Sequence, residues 1–316
     1  MSALKRLGLN ELEIHKQQQY SETQAQTKDT FSYKWAKRET YESEAFKANS
    51  QRWLFERYCD SDPNQLTIWL SGGRKIILDA GCGSGYSALL FFGKHLKDHD
   101  YLGIDISEAV EVAKERFSAA GYPGDFLRMS LMDTPLPEGS VDVIFAEGVL
   151  HHTDSTEASI KSLARYLKPG GRFLFYVYAK KAVIREFTDD YIRQQLKPLS
   201  DEAAWKALEP LTRLGMALGK LDISIEVPED IPLLGIRRGQ TDLQRFFYWN
   251  ICKLYYRPEF SLEEMNHINF DWFRPLNCHR QTPDEVAKWC NEAGLLIERQ
   301  KIEESGITIV AVKPVA

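Results

Sequence analysis

From Lys75 onward, apolar and polar positions alternate between two periods. Lys75–Asp79 is a short apolar run that closes on an acid, followed by a glycine cluster and a helical stretch from Tyr86 to Leu96. Tyr101–Asp105 repeats the plan, with Ser107 as the expected N-cap of a helix through Ala119. Asp125–Met129 and Val141–Ala146 read as third and fourth strands. Ile160, Leu163, Ala164 and Leu167 share one helical face, spaced i, i+3, i+4, i+7. Lys168-Pro169-Gly170-Gly171 is expected to stop that helix before a fifth strand, Arg172–Tyr178. Strands spaced by helices in this way predict a parallel sheet with right-handed crossovers.

The alternation pauses after Tyr178 and resumes at Thr282-Pro283-Asp284-Glu285, a capping box with proline at the first helical position. Val286, Trp289, Cys290 and Ala293 form the apolar stripe of that helix, Gly294 ends it, and Leu295–Lys301 and Gly306–Lys313 close the sheet. The expected fold is α/β: a Rossmann-like, seven-stranded, mostly parallel sheet with helices on both faces. Residues 1–70 are expected as an N-terminal helical arm or lid, exposed to about Gln26, with Phe31–Tyr58 packing on the core. Residues 71–178 form the core, 179–281 an inserted cap, and 282–316 the closing helix and strands. Loops at the carboxyl ends of strands line the ligand crevice of such sheets, so an insertion after the fifth strand is placed to cap it.

Composition adds little to this picture. The 316 residues are 43% hydrophobic and 27% charged, as in an ordinary soluble domain, and the formal net charge of −5 gives no reason to expect nucleic acid. Cys59, Cys82, Cys252, Cys278 and Cys290 form no metal-site or disulfide spacing, which fits a reducing compartment. With a polar N-terminus and no apolar run of membrane-spanning length, a cytoplasmic protein without membrane partners and without a metal is expected.

The strongest local signal is Asp79-Ala80-Gly81-Cys82-Gly83-Ser84-Gly85, where a strand feeds a turn whose glycines let a ligand approach the backbone. Alone, it serves a dinucleotide, a mononucleotide or nothing; the dinucleotide fingerprint spaces its glycines differently, G-x-G-x-x-G. In context, Lys75 to about Tyr178 and the elements after Thr282 resemble the class I S-adenosylmethionine (SAM)-dependent methyltransferases. The resemblance implies that Asp79, Ala80, Gly81, Cys82, Gly83 and Gly85 hold the amino-acid end of SAM. Asp105, with Ile106 beside it, would bind the ribose hydroxyls. The family often sets an aspartate against the adenine; this chain has Ser130 there, with Leu131 and Met132. Leu136–Asp142, Glu147–His152 and Lys168–Gly171 match further family segments, and the Glu147 segment faces the reacting methyl in many relatives.

Methyl transfer needs an aligned nucleophile and dry surroundings, and a base only for a protonated acceptor. Glu147, His151 and His152 are the candidate catalytic residues; Glu147 reads equally as a cofactor contact or as a carboxylate satisfied by backbone amides. One histidine is expected at the cleft and the other as a structural residue. In the insertion, Arg185, Tyr248, Asn250, Asn269, Asp271, Trp272 and Arg274 mix aromatic and polar groups as a small-molecule pocket does, although the same aromatics suit a private core. Arg245, Arg274, His279 and Arg280 suit a carboxylate or phosphate. Phe31-Ser32-Tyr33-Lys34-Trp35 resembles an element of bacterial methyltransferases, so Tyr33 and Trp35 read as a lid or a packing anchor. The function expected is methylation of a small-molecule acceptor. A non-catalytic SAM-binding partner, transfer of another SAM-derived group, and a macromolecular acceptor remain as alternatives.

Overall fold

Strand β1, Ile76–Ala80, is apolar on both sides because both sides are covered. Ile76, Leu78 and Ala80 enter one core and Ile77 the other. A computed structural model of the chain describes residues 2–9 and 19–315. β1 pairs in parallel with β2, Asp100–Asp105, on one side and β4, Val141–Glu147, on the other. β3, Asp125–Arg128, extends the first side, and β5, Leu167–Tyr178, the second. Two antiparallel strands, β8 (Leu296–Ile302) and β9 (Gly306–Val312), complete the order β3-β2-β1-β4-β5-β9-β8. The expected seven-stranded, mostly parallel Rossmann-like sheet is therefore present. Its chain order reverses at β1 and β4, which is where such sheets open a ligand crevice.

The chain divides into two compact units. The first comprises residues 1–36, 48–179 and 277–316 and contains the sheet. One face of the sheet is covered by α1 (Ala3–Leu7), α7 (Thr156–Ala164) and α12 (Pro283–Glu292). The other is covered by α3 (Glu44–Cys59), α4 (Pro63–Trp69) and α5 (Tyr86–Phe92), while α6 (Ala109–Ala119) contributes Phe117 there. Thr282 and Glu285 form the capping box of α12 as the sequence implies.

Three local expectations need correction. The N-terminus is not an exposed arm: Ala3, Leu4 and Leu7 bury themselves in the sheet core, and Arg6 pairs with Asp100 at 2.5 Å. Residues 10–18 of that expected arm lie outside the described residues; helix α2 follows at Glu22–Ala36. Glu108, not Ser107, takes the N-cap place of α6, although the Ser107 hydroxyl, which donates to Asp105, also accepts the first-turn amide of Ala109 at 3.3 Å. Lys168–Gly171 does not precede β5 but lies inside it, since Leu167 already pairs with Val141 and a register shift beyond Val141 absorbs the irregular stretch.

The second unit comprises residues 37–47 and 180–276. It holds α8 (Val183–Leu196), α9 (Asp201–Lys220), a hairpin of β6 (Ser224–Val227) and β7 (Gly239–Asp242), α10 (Leu243–Asn250) and α11 (Leu262–Phe273). Helices α9 and α11 are joined by a buried polar ladder. The Thr212 hydroxyl donates to Asn266 Oδ1 at 2.7 Å and accepts from Asn269 Nδ2 at 2.9 Å, and Asn266 Nδ2 donates to the Trp205 carbonyl at 3.1 Å. Among the described residues no helix is long and apolar enough to cross a membrane.

Candidate cofactor and acceptor site

The turn after β1 takes its shape from two glycines. Gly81 (φ +84°) and Gly83 (φ +50°) both have left-handed backbones. A Cβ on Gly81 would lie 2.3 Å from the Val149 side chain, and one on Gly83 would lie 2.9 Å from Trp35 Nε1. Val149 and Trp35 thus rest directly on the turn. Both Gly81 and Cys82 amides donate to the Ile104 carbonyl, at 2.7 and 3.0 Å, tying the turn to β2.

Asp105 closes the same arrangement from the end of β2. Its Oδ2 accepts the Gly83 amide at 2.8 Å, and Oδ1 accepts the Ser107 amide at 2.8 Å and the Ser107 hydroxyl at 2.5 Å. A carboxylate offers about four acceptor directions. Three are engaged among the described residues, two on Oδ1 and one on Oδ2. Ile106 follows it, and beyond β3 the Met129 amide donates to the Asp105 carbonyl at 2.9 Å. Ser130 caps the short turn Leu131–Asp133 by accepting the Met132 amide, and Met132 is exposed.

Asp79 is buried, accepts the Tyr101 hydroxyl at 2.6 Å, and is pushed up to about 7, first by burial, against that hydrogen bond, with Asp105 and Glu147 adding like charge. Burial also raises Asp105 and Glu147. The buried Ser84 hydroxyl of the turn has no hydrogen-bond partner among the described residues. SAM carries a sulfonium and an ammonium, so its charge suits this turn.

Glu147, at the end of β4, is held by side chains and not by backbone amides. Arg57 Nη1 donates to Oε1 at 2.7 Å and the Tyr58 hydroxyl to Oε2 at 2.5 Å. The Arg57 guanidinium is fully buried, with the Trp53 and Tyr176 ring centroids 3.1 and 3.5 Å from its central carbon. The sequence reading missed Arg57, Tyr58, Trp53 and Tyr176. The only signal was the aromatic and charged mixture of Trp53–Tyr58, which reads as packing.

Both histidines after β4 are buried. His151 lies on the Tyr178 ring, centroids 3.7 Å apart, with Tyr176 at 6.3 Å. His152 Nδ1 is 2.6 Å from the Asn277 carbonyl, and its ring meets Phe31 at 4.9 Å. Helix α2 runs along these strand ends. Ser21 donates to Asp154 at 2.7 Å, Gln24 to the His152 carbonyl at 3.3 Å, and the Ser32 hydroxyl accepts the Glu108 amide at 3.1 Å. Tyr33 and Trp35 are half-buried on this helix.

Of the residues expected to bind substrate in the insertion, Arg185, Tyr248 and Trp272 come together. Arg185 Nε and Trp272 Nε1 both donate to Asp189 Oδ2 at 2.7 Å, and Arg185 also donates to the Tyr248 carbonyl. The others are spent on the unit's own architecture. Asn250 donates to the Phe246 carbonyl, and Asn269 sits in the polar ladder. Arg274 donates to Asp201 and to the Leu196 and Leu199 carbonyls. Asp271 is half-buried on α11.

Residues 78–175 match a family described as "Methyltransferase domain". A demethylmenaquinone methyltransferase of Symbiobacterium thermophilum is 34% identical over 102 residues, 31% of this chain and 40% of that protein. Over this stretch the chain is similar to methyltransferase domains. A tRNA U34 carboxymethyltransferase of Hydrogenovibrio crunogenus is 36% identical over 107 residues, 32% of this chain and 31% of that protein. The chain spans less than half the length of the curated relatives it matches. The solved magnesium protoporphyrin IX methyltransferase of Synechocystis is 14% identical, with a TM-score of 0.49 over 94% of this chain and 100% of that one. The Synechocystis enzyme was solved with bound SAM.

Proposed function

We propose that the protein transfers the methyl group of SAM to a small-molecule acceptor in the cytoplasm. The observation that carries this reading is the acid-ringed glycine turn, where Asp105 grips the Gly83 amide beside the buried Asp79. Such a turn has a use for a cationic nucleoside. Five free, buried cysteines fit a reducing compartment, and the acidic net charge of −5 favours a small acceptor over RNA.

Bound SAM would supply a methyl carbon already activated by the adjacent sulfonium. The chain's task is then to orient and to keep water out. The glycine turn and Asp105 hold the donor, while Tyr178 and His151 wall the side beyond β4. His151, buried after β4 with its ring on Tyr178, is assigned to accept a proton when the acceptor is a hydroxyl or ammonium. The test is incubation with labelled SAM and fractionated extracts, small molecules and tRNA kept apart, with mass spectrometry of modified species. Label in a metabolite supports the proposal. Label only in tRNA, or a gain of mass other than one methyl, replaces it with the reading suggested by the carboxymethyltransferase relative.

Helix α2 is part of the same proposal, as a lid on the donor. Its Trp35 ring lies against Gly83, and its two ends are tied beyond β2 and β4. Trp35→Ala should weaken SAM binding by about tenfold, the worth of one large aromatic contact. Unchanged affinity in a protein with wild-type circular dichroism would reduce the helix to a packing anchor.

A further inference from the structure

Helix α8 turns charges inward and large apolar side chains outward. Its buried residues are Arg185, Asp189 and Leu196, and the first two spend their charge on each other. Val183, Phe187 and Tyr191, spaced i, i+4, i+8, form one line along the helix and are 66, 74 and 55% exposed. A surface helix ordinarily turns such a line toward a core. Here it is left to the solvent.

The turn between β6 and β7 adds to the same surface. Ile231 and Ile236 bond to each other across it, amide to carbonyl at 2.8 and 3.2 Å, and Leu233 at its tip is 90% exposed. A Cβ on Gly235 would lie 3.8 Å from Ala182 Cβ, so the turn stands beside the Val183 end of the line.

The charge around this surface is basic on the helix and mixed on the turn. Lys180 and Lys197 are exposed at the two ends of α8, while no acid of that helix is. Glu186 accepts the Lys181 backbone amide and Asp190 pairs with Arg193. Arg237 and Arg238, just after the turn, are exposed and have no side-chain ion pair among the described residues. Glu229 and Asp230 lie exposed before it, and Asp230 accepts the Arg238 amide at 2.7 Å. A standard protein interface takes about 20–30 residues a side, far more than one helical line and a projecting leucine. A narrow apolar line with cations at its margins matches a layer that is apolar within and anionic at its surface.

We propose that α8 and the Leu233 turn rest on an anionic lipid bilayer. The line of α8 and Leu233 enter the boundary between headgroups and acyl chains, and Arg237 and Arg238 meet the lipid phosphates. This revises the expectation of no membrane partner, for contact at the surface and not for a spanning helix. It needs neither SAM nor a methyl acceptor, so it stands or falls apart from the function proposed above.

The test is flotation of the full chain with vesicles of phosphatidylcholine, pure or with about one third phosphatidylglycerol. The chain should float with the anionic vesicles, far less with the neutral ones, and less as salt rises. Phe187→Ser/Leu233→Ser should weaken binding to the anionic vesicles by about tenfold. Arg237→Gln/Arg238→Gln should weaken it by roughly tenfold and flatten its dependence on salt. All four side chains are exposed, so wild-type circular dichroism is expected; if the first pair does not fold, Leu233→Ser alone gives the same reading. A wild-type chain that floats with neither vesicle, or variants that float as well as wild type, would overturn the proposal. So would a dimer in sedimentation velocity that Phe187→Ser/Leu233→Ser abolishes while no vesicle is bound, which would make this surface an interface between copies.

Discussion

Glu147→Ala should cost the protein about 3 to 5 kcal/mol of unfolding free energy, the loss expected when one member of a buried ion pair is removed. The variant leaves a guanidinium with no exposed surface between Trp53 and Tyr176, and it leaves the buried Tyr58 hydroxyl without its acceptor. Glu303, 3.8 Å from Arg57 Nε, is the carboxylate that remains, which places the loss nearer the lower figure. Urea unfolding of wild type, Glu147→Ala, Arg57→Met and Arg57→Met/Glu147→Leu measures it. The double variant should recover much of the deficit, since apolar side chains of similar size replace a buried pair at little cost. If Glu147→Ala unfolds at the wild-type urea concentration, the carboxylate is not bound to Arg57 in solution and returns as a candidate base.

That pair also shows where a single sequence stops being legible. The glycine turn, Asp105 and the Thr282 capping box are local features: each is set by neighbouring residues, so each could be located in advance. Glu147 could be named too, but not its state, because Arg57 lies 90 residues away on α3. The two histidines differ for the same reason. His152 is turned toward the carbonyl of Asn277, 125 residues later, and nothing in Leu150–His152 itself encodes that. In the insertion, periodicity and composition located the aromatic residues. They could not say that Asn269 and Arg274 would be used up in helix ladders and loop carbonyls while Arg185 and Trp272 share one carboxylate. At the N-terminus the polar average of the segment hid Ala3, Leu4 and Leu7, a patch too short for periodicity to register yet enough to seat one helical turn on the sheet.

Asp105→Ala should lower SAM affinity by about a hundredfold, the combined worth of a charge-assisted hydrogen bond to the ligand and of the turn geometry that the carboxylate maintains. Both contributions have a structural source. The proposed ribose contact would use the acceptor direction left on Oδ2, and the bonds from Gly83 and Ser107 fix the turn after β1 against the end of β2. Asp105→Asn should be little better, because one amide end would present N–H to the Gly83 or Ser107 donors. Ser107→Ala separates the two contributions: it removes a single hydroxyl donor, leaves the carboxylate and its Gly83 bond, and should change affinity by only about threefold. Calorimetric titration of SAM and of its demethylated product into each folded variant decides the matter. Wild-type affinity in Asp105→Ala would mean that the donor does not use this turn, and the acid-ringed pocket would need another ligand.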